Sequence, residues 1–214
     1  LVLSAILLPL HRADYAVDLS SYGPLLIMLG KELLVGGSDR TFRRTIHTLM
    51  AITNNVDNLK NSFGQLMGIT GPQHEIVMLI ARANDGEGIG VGEVARLIKR
   101  TSAFVATETN QLQKIGLIEK IPSDEDKRRV LLRLSDAGQE RLRELAPVQR
   151  EVNNALFGDF DRTEFLAFIG YIEKLLLCSE RACDIADALV RDEARRRIHQ
   201  VATKAAGKRA GGVV

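Results

Sequence analysis

With 214 residues, 45% of them hydrophobic and 26% charged, the chain can bury a substantial core and has the balance of a globular protein, which sets aside fibrous and wholly disordered classes. The formal charge of +2 is a near-cancellation of 29 basic and 27 acidic residues and says little as a sum. Its distribution says more: residues 191–210 hold seven basic residues (Arg191, Arg195, Arg196, Arg197, Lys204, Lys208, Arg209) against Asp192 and Glu193, a net of +5 that leaves the rest of the chain at −3.

Two cysteines, Cys178 and Cys183, make no disulfide framework of the kind small secreted domains need, so a cytoplasmic setting is expected. Residues 1–10 are apolar but far short of the roughly 20 that a membrane-spanning helix requires. They also lack the basic leader and cleavage site of an export signal, and a docked or disordered terminus is expected there.

In chain order, Leu25, Leu26, Met28, Leu29 and Leu33 predict a brief helix over 21–35, stopped by Gly36-Gly37. Phe42, Ile46, Leu49, Ile52, Val56, Leu59 and Phe63 then step by threes and fours, giving a long helix with one apolar face. Ser38 or Asp39 can cap its start, and Gly64 stands just past its expected end.

Thr70-Gly71-Pro72 opens another helix, with Thr70 as N-cap and Ile76, Leu79, Ile80 and Ala83 on its buried side. It is expected to run to Asp85-Gly86, and the glycines at 86, 88, 90 and 92 read as a flexible connection. Gly90-Val91-Gly92-Glu93-Val94-Ala95 fits the dinucleotide pattern GxGxxA. That pattern needs a preceding strand, and a helix followed by glycines stands there instead, so nucleotide binding is not expected.

Val91, Val94, Ala95 and Ile98 predict a short helix over 91–98, and a tight connection through Lys99 and Arg100 leads to a second helix over 102–115. In the second helix Val105, Thr109 and Leu112 point inward. Ala103, Thr107, Asn110 and Lys114 point outward, Phe104 and Gln111 lie on the flank, and Gly116 ends the helix. Small and amide side chains of this kind can approach base edges, because Asn and Gln pair with adenine and Thr or Phe contacts the thymine methyl.

Residues 117–121 and 129–134 read as two strands of a hairpin, with Val130, Leu132 and Leu134 in period two and Pro122, Ser123 and Asp124 supplying turn chemistry. Arg128 stands at or near its tip, suited to the negative potential of a minor groove, and Asp126 can brace it.

Asp126-Lys127-Arg128, five residues, then Leu134-Ser135 resembles the wing pattern DxRxxxxxLT of the MarR family of winged helix-turn-helix transcription regulators, with Ser for Thr. Val94-Ala95, Val105, Leu112 and Gly116-Leu117-Ile118 fall where that family keeps its apolar and glycine positions. Glu108, where the family usually has an apolar residue, and Lys99, where its turn often has glycine, are departures.

The resemblance implies a mainly α fold with a small β-wing: a winged helix-turn-helix domain plus long N- and C-terminal dimerisation helices. The expected layout is an N-terminal extension over 1–38, a MarR-like domain over 39–190 (winged core 70–135, dimerisation helices 39–63 and 135–190) and a basic tail over 191–214. It further implies a homodimeric DNA-binding regulator, a repressor released from a palindromic operator by a small aromatic or phenolic acid. The expected DNA contacts are Thr101, Ser102, Ala103, Phe104, Thr107, Asn110, Gln111, Lys114, Lys127, Arg128 and Arg129, with Asp126 stabilising the wing. Arg43, His47 and His74 are the candidate effector-binding residues.

After the wing, Ser135 caps a long helix carrying Leu142, Leu145, Val152 and Leu156, which Pro147 should bend or interrupt. Phe157-Gly158-Asp159-Phe160 turns the chain, and Asp161 with Glu164 resembles a capping box. The last helix bears Phe165, Phe168, Ile169, Ile172, Leu175, Leu176, Cys178, Ala182 and Ala186, more apolar surface than a small winged domain can cover, so a partner subunit is expected. Gly207 and Gly211-Gly212 are expected to end it near Ala206. The tail would add non-specific phosphate attraction or remain solvated.

Cys178 and Cys183, five apart, read as packing residues. The alternatives are a redox-responsive regulator using Cys178 or Cys183, and a winged-helix protein-interaction module without DNA binding. His11, His47, His74 and His199 sit in no HExxH, and there is no paired CxxC or GxSxG, so no enzyme, metal site or cofactor is expected.

Overall fold

The computed structural model describes residues 33–210 apart from Gly37, residues 84–86, Asp124, Glu125 and Arg128, with side chains described as far as His199. The terminus over 1–10 and most of the helix expected over 21–35 lie outside the described residues; at the end of that stretch Val35 bridges to Ser38. The chain divides into two compact units, one ending at Gly138 and the other beginning at Gln139.

In the first unit α1 (Arg40–Met67) packs on α2 (Gly71–Arg82). The apolar stepping from Phe42 to Phe63 builds α1, but the helix does not stop at Gly64. Gly64 is buried inside it, where a Cβ would lie 2.8 Å from the Ile69 carbonyl oxygen, so its role is close approach to the following turn. The stop is Gly68, in the left-handed region at φ 74°. At the start of α1 the Asp39 side chain makes no cap; Ser38 Oγ accepts from the Arg40 amide instead.

Helix α2 starts as expected at Thr70, whose hydroxyl accepts from the Gln73 amide at 3.3 Å while Gln73 Oε1 accepts from the Thr70 amide at 3.1 Å, a complete capping box. It ends at Arg82, short of the expected Asp85-Gly86.

The glycine run beyond is not a flexible connection throughout. Ile89–Gly90 forms a short strand, β1, antiparallel to β3 (Val130–Leu134), with Ile89 opposite Leu132 and Gly90 opposite Leu131. Gly88 (φ 97°) brings the backbone so close to β3 that a Cβ would stand 2.8 Å from the Leu132 carbonyl oxygen. A strand therefore does precede the GxGxxA match. It is an antiparallel edge of a three-stranded sheet in which β3 lies in the middle, not the first strand of a parallel βαβ unit, so the nucleotide loop is still missing its scaffold.

Helices α3 (Val91–Leu97) and α4 (Ser102–Lys114) follow, then β2 (Ile118–Pro122), which pairs with β3 from Ile118 opposite Leu134 to Pro122 opposite Val130. The core of this unit is Ile76, Val77, Val94, Val105, Leu112, Ile118 and Leu132, drawn from α2, α3, α4 and the sheet. Ser135 closes it: its hydroxyl donates to the Gly116 carbonyl and accepts from the Gly138 amide at 3.0 Å, capping α5 (Asp136–Phe157).

In the second unit α5 continues through Pro147 as one helix. The turn at 158–161 is held by rings: Phe157 meets Phe165 edge-on at 5.3 Å, and Phe160 lies 5.5 Å from Phe168. Asp161 and Glu164 form the expected capping box, each side chain accepting from the other's amide at 2.8 and 3.0 Å. Helix α6 (Arg162–Ala210) runs on through Gly207 instead of ending near Ala206. No helix among the described residues is long and apolar enough to cross a membrane.

Candidate nucleic-acid interface

The helix pair α3–α4 is set by one backbone conformation. Between the two helices Lys99 adopts φ 55°, the left-handed region that glycine enters more easily. The Ile98 and Arg100 amides donate back to Val94 and Ala95 at 3.0 Å, closing the end of α3. Thr101 then caps α4, its hydroxyl accepting from the Phe104 amide at 3.2 Å. The Arg100 guanidinium stacks over the Phe104 ring 5.9 Å from its centre.

Along α4, Val105, Thr109 and Leu112 are fully buried, as their spacing predicts. Ser102, Ala103, Thr107, Asn110, Gln111 and Lys114 are exposed, and Phe104 is half-buried. The Thr107 hydroxyl donates back to the Ala103 carbonyl at 3.0 Å, leaving its methyl as the main feature it can offer a groove.

Glu108 is half-buried and has a polar partner. Gln73, only 5% exposed at the start of α2, donates through Nε2 to Glu108 Oε2 at 2.9 Å and to Gln111 Oε1 at 2.8 Å. A polar tie thus replaces the apolar contact and joins α2 to α4. Gln73 was not among the expected functional residues; its signal was the Thr70-x-x-Gln73 spacing of a capping box.

The wing stands beside this helix face. Asn110 Oδ1 accepts from Lys120 Nζ on β2, so helix and hairpin are joined side chain to side chain. Across the strands Glu119 and Arg133 pair at 3.4 Å. Where the hairpin narrows, the Ser123 amide donates to the Arg129 carbonyl at 2.9 Å and the Arg129 amide to the Asp126 carbonyl at 2.8 Å. Lys127 and Arg129 are exposed and Asp126 is exposed beside them. Arg128, and with it the expected Asp126 brace, lies outside the described residues.

The three candidate effector residues are not brought together within one chain. Arg43 pairs with Asp39 at 3.0 Å, and His47 lies exposed one turn along. His74 is 4% exposed and its ring lies 5.4 Å from Phe63, which is sixteen positions, or about 24 Å of helix, from His47. Burial pushes the His74 pKa down, opposed by the charge of Glu75 and assisted by that of Lys60.

Lys60 bridges Asp57 on its own helix at 2.8 Å and Glu75 on α2 at 2.9 Å. Burial alone would lower the Lys60 pKa, but its hydrogen bonds to the two carboxylates raise it overall. The Lys60 hydrogen bond and charge hold Asp57 below the usual carboxylate range. Among the described residues no group of His, Cys, Asp and Glu is arranged to hold a metal ion.

No family model matches the chain, and a search of curated protein sequences gives no match. Its fold does match solved structures. A MarR/EmrR family transcriptional regulator from Acinetobacter sp. ADP1 aligns with a TM-score of 0.57 at 19% identity, over 65% of this chain and 96% of that one. The S. aureus MepR–DNA complex aligns at 0.53 and 18% identity, over 61% and 93% of the two chains. The transcriptional regulator BldR from Sulfolobus solfataricus aligns at 0.53 and 20%, over 64% and 95%. The chain is built on the MarR-type winged-helix fold.

Proposed function

We propose that the chain is a sequence-specific DNA-binding transcription regulator, with α4 entering the major groove and the β2–β3 wing reaching the adjacent minor groove. The observation that carries this is the union of an exposed, small and amide-rich face on α4 with the basic wing residues Lys127 and Arg129, joined through Lys120 and Asn110. A fold relative solved as a DNA complex supports the same use of the fold.

In this reading the protein acts as a homodimer through α1 and α6. Support comes from apolar side chains these helices leave exposed: Met50 and Ile52 on α1, and Tyr171 (73% exposed), Leu175, Ile185 and Leu189 on α6. Two copies related by a two-fold axis would set two α4 helices about 34 Å apart on a palindromic site. Repression relieved by an aromatic or phenolic acid belongs to the same reading through the family resemblance. Because Arg43 and His47 do not converge with His74 in one chain, an effector pocket using all three would need the partner subunit.

Selection of bound duplexes from a random pool tests the proposal: enrichment of a palindrome with half-sites one helical turn apart is expected, and a pool that stays random contradicts it. A redox-responsive alternative would use Cys178 or Cys183, of which Cys183 is exposed in the single chain. That alternative requires DNA affinity to change on peroxide treatment and to stop changing in Cys178→Ser and Cys183→Ser variants.

A further inference from the structure

The exposed amides of α4, Asn110 on its outward face and Gln111 on its flank, have a fixed polarity. A backbone N–H can only donate, so the Gln73 atom facing the Thr70 amide is the carbonyl oxygen. Its other end is therefore the NH2 group, which donates to Glu108 Oε2 and to Gln111. An N–H needs an acceptor, so Gln111 turns its Oε1 toward Gln73 and its own NH2 away. The same logic holds one residue earlier: an ammonium can only donate, so Asn110 turns Oδ1 to Lys120 and keeps its NH2 for other partners.

We propose that α4 meets DNA at Asn110 and Gln111 with N–H donors alone, and that Gln73 is the positioning residue that imposes this polarity on Gln111. The proposal rests on the DNA-binding reading above and adds which groups of the duplex these residues touch. Reading adenine through one amide requires donor and acceptor to face the base edge together. With each carbonyl already accepting from Gln73 or from Lys120, adenine would have to share that oxygen, and the N–H groups are the free ends left for the duplex. What remains suits hydrogen-bond acceptors: guanine O6 and N7, thymine O4, or a phosphate oxygen. Lys114, exposed on the next turn and also a pure donor, extends the same surface.

A charge-conserving swap reverses the polarity. In Gln73→Glu with Glu108→Gln, residue 73 still accepts from the Thr70 amide, but its second oxygen can only accept. Gln111 must then turn its NH2 inward and its carbonyl toward the DNA.

On a duplex selected by the wild-type protein, Gln111→Ala is expected to weaken binding by about 2- to 12-fold, the loss of one hydrogen bond. The swap is expected to weaken it by a similar factor, and Gln111→Ala added to the swap to weaken it no further. If the donor meets a base, repeating the selection with the swap changes the preference at that position; if it meets a phosphate, affinity falls with the preference intact.

The proposal is overturned if Gln111→Ala relaxes a preference for adenine, if that variant binds as the wild type does, or if the swap leaves affinity and preference unchanged. A second measurement needs no variant. The side-chain NH2 of Gln73 should exchange slowly with solvent and that of Gln111 fast, and the reverse order overturns the assignment. Wild-type protein that selects no duplex sinks the DNA-binding reading itself, whereas a wild-type site with unaffected variants sinks only this inference.

Discussion

Lys99 carries the helix-turn-helix geometry at a cost. Its left-handed backbone places the Cβ of an L residue against the following carbonyl, a strain of about 1–2 kcal/mol that glycine avoids, though glycine loses more freedom on folding, about 0.5–1 kcal/mol. Lys99→Gly should therefore raise stability by about 0.5–1 kcal/mol in urea unfolding, and Lys99→Val should lower it. Equal midpoints for all three proteins would remove the strain from the account.

His74 makes a second prediction at this scale. Burial pulls its folded-state pKa below the ordinary 6.5, with Lys60 and Glu75 as the charged neighbours. The unfolded chain thus takes up the proton more readily. The stability at stake is fully present above about pH 6.5 and is lost as pH falls from there through the folded-state pKa. His74→Phe should lose less stability than the wild type between pH 7.5 and pH 5, and parallel losses would contradict this.

Single residues were legible where one position decided the outcome. Thr70, Ser135 and the Asp161–Glu164 pair cap as their spacing predicts. Glu108 was legible only as a misfit, because its partner Gln73 lies 35 positions away in sequence.

At the scale of elements, period carried most of the information. The threes and fours of α1 and the inward set Val105, Thr109 and Leu112 of α4 follow directly from it. The two-residue β1 has no period to read, and its glycines look like a linker until Leu131 and Leu132 pair with them. Gly64 and Gly207 misled as stops because glycine also serves close approach or is simply tolerated within a helix; Gly64 does the former, set by the backbone at Ile69 and Thr70.

Helix α6 spans about 74 Å at 1.5 Å per residue and leaves Leu175 and Ile185 exposed. If a second copy covers them, Leu175→Glu with Ile185→Glu should halve the mass measured by light scattering while helical content in circular dichroism persists. An unchanged mass would mean that this face is not the dimer contact.

For the whole molecule, the fold was legible because the wing pattern ending at Leu134-Ser135 sits in a helix-turn-helix context, and the structure returns that context as α3, α4 and a three-stranded sheet. The candidate effector residues were named one at a time, and no pattern in the sequence showed that His47 lies sixteen helical positions, about 24 Å, from the Phe63 ring that His74 meets. Function at this scale turns on whether α4 and the wing grip one duplex together. Lys127 and Arg129 are exposed on the wing, and Arg128 between them carries the minor-groove role in the proposal.

The most direct measurement is a salt titration of binding to the selected palindrome for the wild type and Arg128→Ala. The account predicts weaker binding by the variant and a slope of log affinity against log salt reduced by about one contact per subunit. Equal affinity and equal slope for the two proteins would contradict it.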